Sequence, residues 1–157
     1  MKKAILPALL VLALAAPAVQ AASRKVDGKF DRADLNSDNQ LTPDEFQATQ
    51  KKKISVAYSL FRFNKTDTNH DGFVSLEEFR ISKGGTSGGK PTKMDLFLLA
   101  DADDDDVLDP SEYVDTLASG VSYPKALKVF DKRDKDDTGT LTPKEFGIGN
   151  SPGLPLP

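Results

Sequence analysis

The chain has 157 residues and a mass of 17.0 kDa, with 24 acidic against 21 basic residues and a formal charge of −3. That length suits one domain or two very small ones, and 38% hydrophobic with 29% charged residues excludes both a multi-span membrane protein and wholesale disorder. The absence of Cys and the single His remove disulfides, thiolate metal sites, cysteine nucleophiles and imidazole clusters; the acidic balance argues against a nucleic-acid partner, which requires a basic face. The acidity is unusual in kind, with 19 Asp and only 5 Glu. Asp is the poorer helix former, so the bias places short carboxylates in loops.

In chain order, the first segment reads as an address. Met1-Lys2-Lys3 is a positive start, Ala4 to Ala16 is an apolar run broken only by Pro7, and Val19-Gln20-Ala21 offers small or aliphatic residues at a cleavage point. Residues 1–21 are therefore expected to be a cleavable signal peptide. The apolar run is shorter than a spanning helix needs and polar Ser23-Arg24-Lys25 follows it, so no membrane span is expected. Clipping would leave 19 basic against 24 acidic residues, a charge of −5, and would deliver the protein to the medium or to a bacterial periplasm.

Beyond the leader, four twelve-residue segments repeat: DLNSDNQLTPDE from Asp34, DTNHDGFVSLEE from Asp67, DADDDDVLDPSE from Asp101 and DKDDTGTLTPKE from Asp134, with starts 33, 34 and 33 residues apart. Each has an acid or amide at positions 1 and 3, an aliphatic residue at position 8, Ser, Thr or Asp at position 9 and Glu at position 12. Four of the five Glu residues (Glu45, Glu78, Glu112 and Glu145) occupy position 12, and the fifth, Glu77, adjoins one. The signatures of tetratricopeptide and ankyrin repeats, which share this period, are absent. The segments resemble the EF-hand calcium loop, and the resemblance covers four loops and their flanks. It implies an all-α fold: two pairs of helix–loop–helix hands, with short β contacts between paired loops at Leu41, Val74, Leu108 and Leu141.

The resemblance also implies Ca²⁺ as the cofactor and gives each position a role. Calcium is a hard cation that takes about 6 to 8 oxygens, here from loop positions 1, 3, 5, 7, 9 and a bidentate Glu at 12. Short side chains suit the early positions, where the backbone curls around the ion, and the longer Glu reaches in from the exit helix. Loop two, with Asp67, Asn69, Asp71, the carbonyl of Phe73, Ser75 and Glu78, and with Gly72 at position 6, fulfils the whole family pattern. Loop one, with Asp34, Asn36, Asp38, Gln40, Thr42 and Glu45, departs only by Asn39 at position 6, where a positive φ is needed and Asn substitutes well for Gly. Loop three offers Asp101, Asp103, Asp105, Val107, Asp109 and Glu112, with Asp104 and Asp106 as surplus acids; the empty loop should suffer severe repulsion and gain most order from metal. Loop four, with Asp134, Asp136, Thr138, Thr140 and Glu145, is degenerate because position 5 is a neutral hydroxyl and Gly147 and Gly149 cut short its exit helix.

The flanks repeat as well. Phe30, Phe63, Phe97 and Phe130 lie four residues before a loop, and Phe46, Phe79, Tyr113 and Phe146 follow each position-12 Glu; all eight read as core. Thr42, Asp109 and Thr142 precede Pro43, Pro110 and Pro143, an N-cap followed by proline at the first helical position. Ser75 caps without proline, and the Glu three residues on completes a capping box, a use that competes with metal binding. A continuous helical stretch is expected from Thr42 to Lys65, with a bend near Lys53. Thr92 with Asp95, and Ser122 with Pro124, restart later helices. The resulting organisation is a hand pair over residues 22–83 (loops 34–45 and 67–78), a flexible Gly/Ser linker over 84–91, a second pair over 92–149 (loops 101–112 and 134–145) and a disordered Pro-rich tail over 150–157.

Three features are set aside. Gly84, Gly89 and Lys90 mimic a phosphate loop, but Pro91 stands where Ser or Thr should hold magnesium and no strand precedes it. His70, at loop position 4, has no nucleophile or second imidazole beside it and reads as an exposed spectator. Lys51-Lys52-Lys53 reads as a solvated helix face. No base, nucleophile and pocket can be assembled, so an enzyme is not expected. The expected function is a secreted calcium store or calcium-stabilised module, binding at roughly 10⁻⁴ to 10⁻³ M. The alternative is a calmodulin-like sensor that docks an unidentified protein partner; against it, Met94 is the only methionine after the leader, whereas adaptable target grooves are Met-rich.

Overall fold

A computed structural model describes residues 16–50, 53–84 and 89–149, with side chains omitted at 16–23 and 83–84. Residues 1–15 of the expected leader, residues 85–88 of the expected linker and the whole Pro-rich tail lie outside the described residues. Each loop is entered and left by a helix. Hand one is α1 (Ala16–Ala33), β1 (Gln40–Leu41) and α2 (Pro43–Ala48); hand two is α3 (Val56–Thr66), β2 (Val74–Ser75) and α4 (Leu76–Gly84). Hand three is α5 (Lys93–Leu98) and α6 (Pro110–Asp115), and hand four is α7 (Tyr123–Arg133) and α8 (Pro143–Phe146). The fold is all-α apart from the loop contacts. β1 pairs antiparallel with β2 in the register Gln40 to Ser75 and Leu41 to Val74, and Leu108 and Leu141 form one antiparallel bridge, with reciprocal N–H to carbonyl bonds of 2.9 and 2.8 Å. Among the described residues, no helix is long and apolar enough to cross a membrane.

Local chemistry sets the helix starts. Thr42, Asp109 and Thr142 cap α2, α6 and α8 in capping boxes with Glu45, Glu112 and Glu145, each followed by proline. Thr92 caps α5 in the same way with Asp95, and α7 begins after Ser122 without a side-chain cap. The exit helix of hand four is four residues long and stops at Gly147, whose φ of 93° is left-handed, a conformation that glycine adopts without a Cβ clash. Lys93 Nζ and Arg133 Nη1 donate to the carbonyls of Gly147 and Phe146 at 3.0 and 2.8 Å, satisfying groups that so short a helix leaves open.

One expectation fails. The stretch from Thr42 to Lys65 is not a continuous helix: α2 ends at Ala48, and α3 begins anew at Val56 with Ser55 as its N-cap. Thr49 Oγ1 donates to the Phe46 carbonyl at 2.7 Å, and Ser55 Oγ accepts from Tyr58 N at 3.0 Å. Side-chain bonds to the backbone thus close one helix and open the next.

The eight flanking aromatics are all buried. They meet edge to face, which suits the ring quadrupoles. Phe30 meets Phe79 and Phe46 meets Phe63 at centroid distances of 5.7 and 5.6 Å in one cluster; Phe97 meets Phe146 and Tyr113 meets Phe130 at 5.7 and 5.6 Å in another. Leu41 and Val74 complete the first cluster, and Leu108 and Leu141 the second. The clusters are not insulated from each other. Ala57, at the start of α3, is 0% exposed and belongs to the second cluster, while Phe63 of the same helix belongs to the first. Ser119 reinforces this seam, its Oγ donating to the Ile54 carbonyl at 2.6 Å.

Candidate metal centre

Each loop winds tightly because two of its residues are left-handed. Position 6 is so in every loop: Asn39, Gly72, Asp106 and Gly139 have φ of 65°, 83°, 65° and 82°. Position 4 is left-handed too, at Ser37, His70, Asp104 and Asp137 with φ of 59°, 58°, 57° and 55°. Sequence reasoning missed this second requirement, although Asp and His are among the residues that tolerate αL. His70 therefore owes its place to backbone conformation, and its side chain is exposed.

That winding turns backbone N–H groups toward the position-1 carboxylate. Asp34 accepts from Asp38 N at 3.2 Å and Asn39 N at 3.0 Å. Asp101 accepts from Asp105 N at 3.2 Å and Asp106 N at 3.1 Å, and Asp134 from Thr138 N at 3.1 Å and Gly139 N at 2.8 Å. Asp67 differs: Oδ2 accepts from Gly72 N at 3.0 Å, but Oδ1 is buried with no hydrogen-bond partner among the described residues. Position 5 ties down position 7, two residues on, with Asp38, Asp71 and Asp105 accepting from Gln40 N, Phe73 N and Val107 N at 2.9, 2.9 and 3.0 Å.

Carboxylates converge as a consequence. In loop three, oxygens of Asp101, Asp103 and Asp105 lie within 4.8 Å of one another, and in loop four those of Asp134, Asp136 and Glu145 do the same. In loops one and two the position-3 donor is an amide, and Asn36 and Asn69 donate to Asp38 and Asp71 at 2.9 Å. In loop three, Asp109 and Glu112 stand outside that acid group. Asp109 Oδ1 accepts from Ser111 N at 2.6 Å and Glu112 N at 2.8 Å, so its carboxylate serves the helix. In loop four, Thr138 Oγ1 donates to Asp136 at 2.8 Å and lies 3.4 Å from both the Thr140 carbonyl and the Thr140 hydroxyl.

Position 12 is fixed from both ends, by position 2 and by position 9. Glu45 accepts from Leu35 N, Thr42 N and Thr42 Oγ1 at 3.0, 3.0 and 2.9 Å, and the bonds from Thr42 and Leu35 hold its carboxyl below the usual range. The Lys135 N–H and the Thr142 hydroxyl and N–H do the same for Glu145. Burial pushes Glu78 up, but donors on Ser75 and Thr68 outweigh it and bring the carboxyl down to about 2. Asp101 goes the other way, raised first by burial and further by the charges of Glu112 and Asp105, against the opposing N–H bonds of Asp105 and Asp106.

The donor set fits a hard divalent cation. It is all oxygen, with no sulfur or imidazole nitrogen, and it mixes carboxylate, amide and hydroxyl groups. The fit is most specific at Asp67, which is 5% exposed. A buried carboxylate oxygen without a partner is costly, and a cation held between Asp67, Asn69, Asp71, Ser75 and Glu78 would remove that cost. The corresponding residues of loop one are Asp34, Asn36, Asp38, Thr42 and Glu45; those of loop three are Asp101, Asp103, Asp105, Asp109 and Glu112.

The EF hand family model matches residues 27–48 and 62–81, the segments that contain loops one and two. Solved structures that align with the chain include a redox protein from Chlamydomonas reinhardtii, at 18% identity and TM-score 0.35, covering 85% of this chain and 49% of that one. A homologue of programmed cell death 6 protein from Leishmania major Friedlin aligns at 19% identity and TM-score 0.35, covering 77% and 68%. Caltubin from the great pond snail aligns at 20% identity and TM-score 0.37, covering 79% and 93%. The chain spans about half the length of the first of these. No curated protein matches it. The EF hand family model thus covers loops one and two, and the left-handed winding and position-9 capping seen there recur in loops three and four.

Proposed function

We propose that this chain is a secreted EF-hand calcium-binding protein that stores calcium or is held folded by it. The observation that carries the reading is the buried, unpartnered Oδ1 of Asp67 in a loop whose other oxygens come from the residue types calcium selects. Residues 1–21 act as the cleavable leader in this reading, and calcium is abundant enough outside the cytoplasm for sites of modest affinity to stay filled. Four bound ions would take the processed chain from −5 to +3, so filling reverses the sign of its charge. The reading assigns the protein no catalytic role. Storage or stabilisation is favoured over sensing because the eight flanking aromatics are buried and Met94 is only half-buried and stands alone.

The alternative, a sensor that docks a partner helix, draws on one feature. A groove of about 370 Å³ between α3 and α5 is lined by Phe61, Leu98 and Leu99 together with Asn64, Lys65, His70 and Asp95. Circular dichroism and hydrophobic-dye fluorescence during a calcium titration separate the two readings. Helix gain without added dye binding is expected for storage or stabilisation; a rise in dye fluorescence on calcium addition would favour the sensor.

A further inference from the structure

A position-12 carboxylate serves as a two-oxygen ligand in only one orientation, and a long Glu side chain loses rotamer freedom when it is held there. The four loops hold it unequally. In loop two, Glu78 Oε1 accepts from Thr68 N at 2.9 Å, Thr68 Oγ1 at 3.0 Å and Asn69 N at 3.4 Å, and Oε2 accepts from Ser75 N at 3.0 Å and Ser75 Oγ at 2.8 Å. In loops one and four, position 9 gives a hydroxyl and an N–H while position 2, Leu35 or Lys135, gives only its N–H. In loop three, Glu112 is held by two backbone donors, Ala102 N and Asp109 N, both at 2.8 Å. Asp109 as a carboxylate has no proton to give, and Ala102 has no polar side chain.

Position 2 supplies no ligand in the calcium pattern, and Thr68 is the only hydroxyl among the four residues there. Its β-branched side chain is stiff about χ1, so the hydroxyl is itself well placed, and a bond to a charged acceptor is among the stronger hydrogen bonds. We propose that Thr68 is a positioning residue for loop two: its hydroxyl, which lies outside the capping box, fixes the Oε1 end of Glu78 and so orients the carboxylate for calcium. The same device is absent from loop three, where Ala102 occupies the equivalent position. The inference rests on the calcium reading above and adds to it a residue outside the ligand set.

The test is a calcium chloride titration of the chelator-treated full chain followed by ¹⁵N–¹H NMR. The Gly72 amide, which donates to Asp67 at 3.0 Å, reports on loop two, and the Gly139 amide, which donates to Asp134 at 2.8 Å, reports on loop four. Thr68→Val keeps the shape and removes the hydroxyl. It is expected to weaken loop two about three- to tenfold with loop four unmoved, while Thr68→Ser stays within about twofold of the parent. Ala102→Thr is expected to tighten loop three by a similar factor, read at the Asp106 amide. Equal or tighter binding by Thr68→Val, or equal losses in the Val and Ser variants, would overturn the assignment. A Gly72 amide that ignores millimolar calcium in the parent protein would instead sink the calcium reading itself.

Discussion

Glu78→Gln tests the electrostatics of the metal-free loop. The carboxyl of Glu78, 8% exposed, is held at about 2 against a usual 4.5 because donors on Ser75 and Thr68 outweigh its burial. A folded value below the unfolded one means that ionised Glu78 stabilises the fold above about pH 4.5, and that this contribution is lost as pH falls toward about 2. The interval corresponds to at most about 3 kcal/mol, and a contribution of about 1–3 kcal/mol is expected once solvent access to the loop is allowed for. A glutamine at this position keeps one acceptor and turns an NH₂ toward groups that donate, so it forfeits most of that term. The assay is urea denaturation in excess chelator at a series of pH values. The parent minus variant difference should be about 1–3 kcal/mol at neutral pH and should shrink through the acid range. Parallel curves for the two proteins over that range would refute the reasoning.

Other expectations follow from particular residues. Asp106→Gly relieves a left-handed φ of 65° and removes one acid from the densest loop; in chelator it should stabilise the protein by about 1 kcal/mol, seen as a raised thermal midpoint, with a smaller gain in calcium. Ala57→Glu places an unpaired carboxylate at a fully buried position in the second cluster. It should cost more than about 3 kcal/mol by urea denaturation, and a loss within about 1 kcal/mol would show that the seam between the clusters opens. Gly147→Ala forces a side chain onto a φ of 93° and brings its Cβ to 2.9 Å from Lys93 Nζ; a loss of about 1 kcal/mol or more, read in the same assay, should mark hand four.

What could be read in advance followed from how strictly each requirement restricts residue type. A hard cation demands oxygens at fixed steps along a winding backbone, so the loops stood out from Asp, Asn and Glu alone, and the packing of paired hands demanded the aromatics at constant distances from them. Proline after Thr42, Asp109 and Thr142 fixed three helix starts. Less legible was whatever rests on a single ordinary residue. Thr49 ends α2 through a bond to the Phe46 carbonyl, and nothing in a stretch of helix-compatible residues announces it. Ala57 reaches the second cluster because of where α3 lies, and an alanine carries no positional signal. The hydroxyl of Thr68 matters through an atom ten residues away. The left-handed position 4 is filled by Ser37, His70, Asp104 and Asp137, and the serine falls outside the Asn, Asp and His preference that marks such positions.

The central claim, that these loops close around calcium, is tested most directly by isothermal titration calorimetry of calcium into chelator-treated protein lacking residues 1–21, with the bound ions counted by native mass spectrometry. The account expects saturable uptake of three to four ions, the fourth at the degenerate loop, falling by at least one when Asp67→Ala and Glu78→Gln are combined. No uptake at millimolar calcium, or an unchanged count in that double variant, would contradict it.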